Sequence, residues 1–344
     1  MDIILAKSHD AIKALYIVGH LQRRFVTKLN ALSEEFGQNK AYEEISWLRD
    51  NGLHGGGNRF ESRDFTLFNT GSVNVSQVHY EEMEQKNLKS ATAISTIIHP
   101  KNPNLPSIHI HISYTELRDG NSYWRIMADL NPSIYNEEDK TRFERALKDL
   151  AKENFEEGVK QGDKYFHIPT LERTRGVSHF YLENYNTGSR DKDFAFAESF
   201  GNSVIDTYID ILTDAIKSRT TVLDSQRQEQ LDYHTLYLFQ VLTLDRGTTA
   251  GVLVHSQNDI GIMGSLPSYV NKPLLNSWVQ KMQTPQDALL TKLIDVIDDN
   301  GVIDIPTKER LANVLREHYD LYPEALSMQA SGDTIPTTVS NHLS

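Results

Sequence analysis

Residues 94–116 read ISTIIHPKNPNLPSIHIHISYTE, two strand-like apolar runs separated by a proline-rich loop. Alternation of apolar and polar residues is typical of a β-strand, because successive side chains point to opposite faces of the sheet. The prolines of the intervening segment HPKNPNLPS favour turn geometry. The stretch therefore predicts two strands joined by a loop.

The segments on either side extend this pattern into a mixed fold. Strands are predicted at 65–80 and at 121–131, and a hairpin of core strands at 236–247 and 251–266 with its turn around Arg246 and Gly247. Helical spacing is found at 10–50, 136–164, 194–219 and from Pro285 to Tyr322. We expect an α+β fold with a large antiparallel sheet. The predicted domain covers 1–285, followed by a helical extension at 286–326 and a disordered polar tail at 327–344.

Composition excludes several classes of function. The 344 residues carry a net charge of −12 and contain no cysteine, which excludes disulfides, thiolate metal sites and cysteine nucleophiles. An acidic chain gains no electrostatic help in binding phosphate backbones, so we expect no nucleic-acid partner. The first residues show no basic stretch followed by a long apolar run, and no later segment is apolar enough to span a membrane, so we expect a cytoplasmic protein.

The IHIHIS segment carries the most informative pair of candidate residues. His109 and His111 are two apart on a predicted strand, so they share one face, with Ser113 next along. Two such imidazoles could bind one metal, and Glu116 completes the His-x-His-x4-Glu spacing of cupin-type metal sites. They could instead act as an acid and a hydrogen-bond partner to one substrate. A solvated polar strand face explains the same pattern, and these interpretations remain open.

Three other motifs each allow a functional and a structural interpretation. The glycines of HGGGNR could approach an anion, but a tight turn that places Arg59 fits the motif better. Asp129, at the end of a strand-like run, could be a base or a turn former. Arg173 and Arg175 could clamp a carboxylate, or form surface charge pairs with Glu172.

Several blocks, in order, resemble the oxygen-dependent coproporphyrinogen III oxidase family. The most diagnostic block is 95–109, where the matching residues are Ser95, His99, Pro100, Asn102, Pro103, Pro106 and His109. Other similar blocks are GGGNRF (55–60), SVNVSQVH (72–79), ADLNP (128–132), RG (175–176), LDRGT (244–248) and MGSLP (263–267). The resemblance covers about residues 15–270.

The resemblance implies a cofactor-free reaction. In it, molecular oxygen converts two propionates of coproporphyrinogen III to vinyl groups, with release of carbon dioxide and peroxide. It also implies helices on both faces of the sheet and a homodimer. By position, His109 matches an acid/base histidine, and Asp129 an aspartate that holds the pyrrole N–H groups. The predicted substrate-binding residues are Arg59, Asn74, Ser95, His111, Ile112, Ser113, Arg125 and Arg175. We expect no metal. If one binds, His99 and His109 match two histidines to which a metal has been assigned in the family, and His111 is a further candidate ligand.

The chain departs from the family pattern where anions would bind. Ser113 stands where the family has arginine, and the segments 233–237 and 255–257 replace arginine-bearing ones. Arg125 is a candidate replacement cation. Two alternatives to coproporphyrinogen oxidation therefore stay open. One is oxidation of another electron-rich aromatic, such as a pyrrole, indole or other tetrapyrrole, and the other is a catalytically silent tetrapyrrole-binding protein.

Overall fold

The computed structural model describes residues 3–330, which form one large antiparallel sheet with helices on both faces. The sheet has seven strands in the order β1-β2-β3-β4-β5-β6-β9, and β7 and β8 form a separate short pair. The strands are β1 (Glu43–Leu48), β2 (Gly55–Glu61), β3 (Phe68–His79), β4 (Leu88–Pro100), β5 (Ser107–Leu117), β6 (Ser122–Asn131), β7 (His167–Ile168), β8 (Arg173–Thr174) and β9 (Ser178–Tyr185). The predicted α+β class is confirmed.

Ten α-helices surround the sheet within these residues. They are α1 (His9–Phe36), α2 (Glu137–Ala151), α3 (Phe155–Phe166), α4 (Arg190–Ser218), α5 (Asp224–Thr243), α6 (Arg246–Val254), α7 (Asp259–Ile262), α8 (Lys272–Asn276), α9 (Gln286–Asp295) and α10 (Ile305–Leu321). None of the helices within residues 3–330 combines the length and the apolar content needed to cross a bilayer.

Strict alternation along the central strands separates two faces of the sheet. On β5, Ile108, Ile110 and Ile112 are at most 1% exposed and pack in a hydrophobic cluster with α1, α2 and α4. His109 and His111 point to the opposite face, which is covered by α5 and the helices that follow it. The IHIHIS pattern thus determines which side chains of β5 pack against α1, α2 and α4 and which face α5.

The first helix is shorter than predicted, because Asp64 occupies the space that its continuation would need. The expectation of helix over 10–50 is wrong beyond Phe36, where Gly37 ends α1. Asp64 Oδ2 accepts hydrogen bonds from the Ser33 hydroxyl and the Gln38 backbone N–H, both at 2.6 Å. A Cβ on Gly37 would lie 2.0 Å from that oxygen, so the chain turns here and enters β1.

The hairpin predicted over 236–266 is also wrong, since this segment is helical. Every residue from Tyr233 to Thr243 on α5 is buried. A helix that is buried all round gives an unbroken apolar run, which periodicity cannot distinguish from a core strand. Helices α5 to α7 consequently lie over the sheet and face the two histidines of β5.

The glycine run forms strand β2 rather than a turn. Gly55 has a φ of +94°, and a Cβ there would lie 2.1 Å from the Gln77 carbonyl oxygen. A Cβ on Gly57 would lie 2.1 Å from the Val75 carbonyl oxygen. The glycines let β2 approach β3 closely.

The C-terminal part packs on the second face of the sheet. Helices α9 and α10 share a hydrophobic cluster with α5, and the domain boundary placed at residue 285 stays a prediction. Residues 327–330, the start of the tail expected to be disordered, contact this part of the structure: the buried Gln329 amide bonds the hydroxyl groups of Thr249 and Tyr319. The rest of the expected tail, 331–344, lies outside the described residues.

Candidate active site

A cavity of about 250 Å³ lies between the sheet and helices α5 to α7. Its floor is made mostly of small or polar side chains that lie opposite one another on neighbouring strands. Three rows of the floor are Ser72–Ile97–His109, Asn74–Ser95–His111–Met127 and Ser76–Ala93–Ser113–Arg125. Because most of these side chains are short, they leave space beneath the helical roof.

His109 and Asp129 form the best-defined pair of functional groups in this region. They are directly opposed on β5 and β6, with His109 Nδ1 2.9 Å from Asp129 Oδ1. His109 lines the cavity, whereas Asp129 is fully buried beneath it. Since Nδ1 donates to the carboxylate, Nε2 is left as the acceptor nitrogen. The pair can therefore accept a proton at Nε2 and stabilise the resulting imidazolium.

Two further side chains hold the Asp129 carboxylate. Asp129 Oδ2 accepts a 2.9 Å hydrogen bond from Arg175 Nη2 and another from the amide of Asn131. Burial alone would raise the pKa of Asp129, but the charge of Arg175 and the bonds from His109 and Asn131 hold it below its usual value. The carboxylate is thus fixed in its charged form next to His109.

Arg175 is positioned by two aromatic rings and by a glycine turn. Its guanidinium carbon lies 4.6 Å from the ring centre of Phe166 and 4.7 Å from that of Tyr237. Gly176 has a φ of +81°, and a Cβ there would lie 2.6 Å from Asn131 Oδ1. The Arg-Gly motif is explained by this geometry: the arginine pairs with the buried aspartate, and the glycine makes the turn possible.

The predicted site residues divide between those that line the cavity and those that do not. Residues found in its lining are His109, Asn74, Ser95, His111, Ser113, Arg125 and Arg175. Ile112 points into the opposite hydrophobic cluster, as alternation requires. Arg59 lies beyond the lining, and its Nε bonds Glu61 at 2.6 Å. Burial, with the nearby charges of His109 and Arg125, lowers the pKa of His111 to about 3.

The histidines suggested as metal ligands do not form a cluster. Within residues 3–330, no three His, Asp or Glu side chains come close enough together to hold a metal ion. His99 bonds Ser107 and packs against Tyr237 at 4.6 Å between ring centres, while Glu116 lies on the other face and bonds Ser8 and Ser90. The cupin-like arrangement is therefore wrong, and the expectation that catalysis needs no metal stays a prediction.

The roof of the cavity is tied to the floor by the LDRGT segment. Asp245 caps α6 by accepting from the Thr248 backbone N–H at 2.6 Å, and it accepts a 2.9 Å hydrogen bond from Tyr165. Arg246 pairs with Glu183, a buried residue of β9. Asn131, Phe166, Tyr237 and Glu183 also belong to the site but were not predicted. Asn131 could have been found as a polar residue two positions from Asp129 on the same strand, whereas the other three lie in distant segments whose local sequence does not mark them.

Comparisons with known proteins identify the family. A family model described as coproporphyrinogen III oxidase matches residues 13–299, which is most of the chain. The chain belongs to the coproporphyrinogen III oxidase family. The resemblance inferred from residues 15–270 is thereby confirmed, and the match extends beyond it at both ends.

Curated relatives are similar at modest identity. The mouse protein named mitochondrial oxygen-dependent coproporphyrinogen-III oxidase is 26% identical over 281 residues, which are 73% of this chain. The human protein of the same name is 27% identical over 266 residues, or 67% of this chain. The alignments span only 60% and 57% of these two relatives. A Rickettsia bellii oxygen-dependent coproporphyrinogen-III oxidase is 29% identical over 70% of this chain and 90% of its own length.

Proposed function

We propose that the chain catalyses the oxygen-dependent oxidative decarboxylation of coproporphyrinogen III to protoporphyrinogen IX, a step of haem biosynthesis. The observation that carries this proposal is the His109–Asp129 pair, with His109 in the floor of one cavity and Asp129 buried beneath it. Family membership supplies the reaction class, and the pair supplies a group that can move a proton inside a partly enclosed space.

In the proposed reaction, His109 is the catalytic residue and Asp129 is a positioning residue. His109 Nε2 accepts a proton from a pyrrole N–H, which raises the electron density of the ring for reaction with dioxygen. A propionate carboxylate then loses carbon dioxide and the carbon next to the ring loses one hydrogen, and the two electrons released reduce dioxygen. The hydrogen peroxide takes one proton from that carbon and one from His109, the pyrrole nitrogen regains a proton from solvent, and a vinyl group remains. Two such rounds give the divinyl product.

The role that the resemblance implies for Asp129 changes in this proposal. A carboxylate that contacts pyrrole N–H groups would have to face the substrate, but Asp129 is fully buried and bonds His109, Asn131 and Arg175. We assign it the orientation of His109 and the stabilisation of the imidazolium, as in other carboxylate–histidine pairs.

The floor residues are proposed to contact the substrate. Asn74, Ser95, His111 and Ser113 offer neutral hydrogen-bonding groups, and Arg125 offers a cation for a propionate. Arg175 faces Asp129 and Arg246 faces Glu183, so their charges are already balanced by carboxylates.

The test is an aerobic assay with chemically reduced coproporphyrinogen III at micromolar enzyme. Products are oxidised to porphyrins and separated with fluorescence detection, and an oxygen-free reaction serves as the control. We expect a vinyl-bearing product that forms only with oxygen. Absence of that product under air would remove the proposed substrate.

A second candidate is the same chemistry on a less anionic aromatic. It is favoured by the balanced charges of Arg175 and Arg246, and by His255, which lines the cavity in a segment where the family carries arginine. Competition between coproporphyrin III and a porphyrin with two carboxylates separates the two candidates. Tighter binding of the dicarboxylate would favour the second, and binding of either without turnover would indicate a silent tetrapyrrole-binding protein.

Assembly, compartment and metal content complete the proposal. We propose a cytoplasmic homodimer that acts without a metal or organic cofactor, with dioxygen as co-substrate. Light scattering at micromolar concentration tests the dimer, and metal analysis of active protein tests the cofactor. A monomer would contradict the proposed homodimer. Activity that is lost with a chelator and restored by iron or manganese would contradict the metal-free reaction.

A further inference from the structure

Helices α6 and α7 form much of the cavity roof, yet they are too short to hold their position alone. They contain nine and four residues, and isolated helices of this length are unstable in water. Three glycines, Gly247, Gly251 and Gly261, further reduce the contacts that the roof can make with its own side chains. The position of the roof must therefore be set by what packs against it.

Helix α10 makes these contacts from outside the cavity. Its residues Leu311, Ala312 and Leu315 are fully buried in one cluster with Val252 of α6. The family match ends at residue 299, so α10 and the residues after it lie outside the matched region. The chain thus supports the roof of its cavity with a segment that the family description does not cover.

Arg316 of α10 joins both roof helices through polar contacts. Its Nε donates to the Val252 carbonyl oxygen of α6 at 3.2 Å, and its Nη2 pairs with Asp259 of α7. A third contact, from Nη1 to Asn313 at 3.0 Å, holds the guanidinium against its own helix. One planar group therefore fixes α6 and α7 relative to each other and to α10.

The residues after α10 form a second connection to the roof. The buried Gln329 amide donates to Thr249 Oγ1 of α6 and, at 3.0 Å, to the Tyr319 hydroxyl of α10. The backbone N–H of Ala330 donates to the Leu244 carbonyl oxygen at 2.9 Å, next to the Asp245 cap of α6. Residues 329 and 330 are thus bonded to Thr249 in α6 and to Leu244 at the C-terminal end of α5, on either side of the turn between these helices.

We propose that α10 and residues 323–330 act as a brace that sets the position of the cavity roof, with Arg316 as its main positioning residue. The roof residues that it places against the substrate space are Thr248, Gly251, Asn258 and Ile262. A loosened brace lets the roof open, so ligand affinity falls while the His109–Asp129 pair stays intact. This effect on affinity rests on the proposed function, whereas the mechanical role of the brace does not.

The first test measures hydrogen exchange without ligand in wild type, Arg316→Gln and Arg310→Gln. Arg310 is a matched control on the same helix, since within residues 3–330 its side chain bonds the Val296 carbonyl oxygen and Thr307 and neither roof helix. Loss of charged hydrogen bonds should speed exchange in residues 246–262 by roughly tenfold in Arg316→Gln, with little change in Arg310→Gln. Equal exchange in the two variants would overturn the brace. So would acceleration of β4 and β5 to the same degree, because that indicates global unfolding.

The second test measures the dissociation constant of coproporphyrin III by fluorescence. We expect it to rise roughly tenfold in Arg316→Gln and to stay within about twofold in Arg310→Gln. Unchanged affinity with a loosened roof would overturn the link between brace and cavity. If the wild type does not bind coproporphyrin III, the proposed function is contradicted but the brace is not. Hydrogen exchange in the roof is measured without this ligand and still tests the brace.

Discussion

His109 and Asp129 lie directly opposite each other on neighbouring antiparallel strands, and their Nδ1 and Oδ1 atoms are 2.9 Å apart. One partner lines the cavity and the other is fully buried. This asymmetry gives the two residues different tasks: the imidazole meets the ligand, and the carboxylate fixes the imidazole. Arg175 keeps that carboxylate charged despite its burial.

Replacement of Asp129 by asparagine should destabilise the fold strongly. Arg175 is 1% exposed and would lose the charge of its carboxylate partner, which typically costs about 3–5 kcal/mol for a buried pair. Urea unfolding measures the change. Asp163→Asn is the control: it removes a carboxylate that bonds His179 but is 60% exposed, so its cost should stay below about 1 kcal/mol. Equal losses in the two variants would contradict the role of the buried pair.

The same variant should change how stability depends on pH. The pKa of Asp129 lies below its ordinary value of 3.8 in the folded protein. Its charge therefore stabilises the fold fully above about pH 5, and this contribution is lost as the pH falls through the folded pKa. The difference in unfolding free energy between wild type and Asp129→Asn should therefore be smaller below about pH 4 than at pH 5. A difference that grows in acid would contradict the assigned direction.

His111 should not carry a proton at neutral pH, although it lies beside His109 on the same face. Its pKa of about 3 means that the unfolded chain takes up a proton below about pH 6.5 and the folded chain does not. The wild type should lose up to about 1.4 kcal/mol more per pH unit below 6.5 than His111→Asn does. His111→Asn should also keep turnover within about tenfold. A His111 imidazole resonance that titrates between pH 5 and 8 would disprove this.

The Gly176 turn should be necessary for the site. Alanine there combines a φ of +81° with contacts of 2.6 Å to Asn131 Oδ1 and 3.0 Å to the Leu130 oxygen. We expect a loss of about 2 kcal/mol or more in unfolding free energy, and lower turnover because Arg175 and Asn131 shift. Gly188 is a matched control with a φ of +79° and nothing within 4 Å of an added Cβ. Gly188→Ala should cost about 1 kcal/mol and leave turnover unchanged.

Arg125 should contribute to affinity for anionic substrates. It lies opposite Ser113 in the floor of the cavity. Arg125→Ala removes a charged hydrogen-bond donor, which should raise KM roughly 10- to 100-fold and change kcat little. Arg125→Lys should recover part of the affinity. An unchanged KM in the alanine variant would show that other groups bind the carboxylates.

The central strands could be predicted from sequence because one face of the sheet is apolar and the other is not. Alternation at 107–117 identified the direction of His109 and His111, and the helices over 137–166 and 190–218 follow ordinary amphipathic spacing. Helices α5 to α7 could not be predicted in the same way. The part of α5 from Tyr233 to Thr243 is buried throughout, so its sequence lacks the polar face that reveals a helical period.

The site was predictable where residues lie on one strand or match a motif, and not where distant segments meet. His109, Asp129 and Arg175 each appeared as candidates, but their convergence depends on strand register and on the Gly176 turn. The rings that hold Arg175 come from α3 and α5, and no local pattern marks Phe166 or Tyr237. The role proposed for Asp129 changed because the sequence predicts that Asp129 lies on a strand but does not predict that its side chain is fully buried.

The most direct test of the account is the turnover of coproporphyrinogen III under air by wild type and His109→Ala. Loss of a proton-transfer group should lower kcat by about 100-fold or more. Coproporphyrin III affinity should change only a few fold, since the floor and roof of the cavity remain. A variant that turns over within about threefold of wild type would contradict the assignment of His109 as the group that moves the proton.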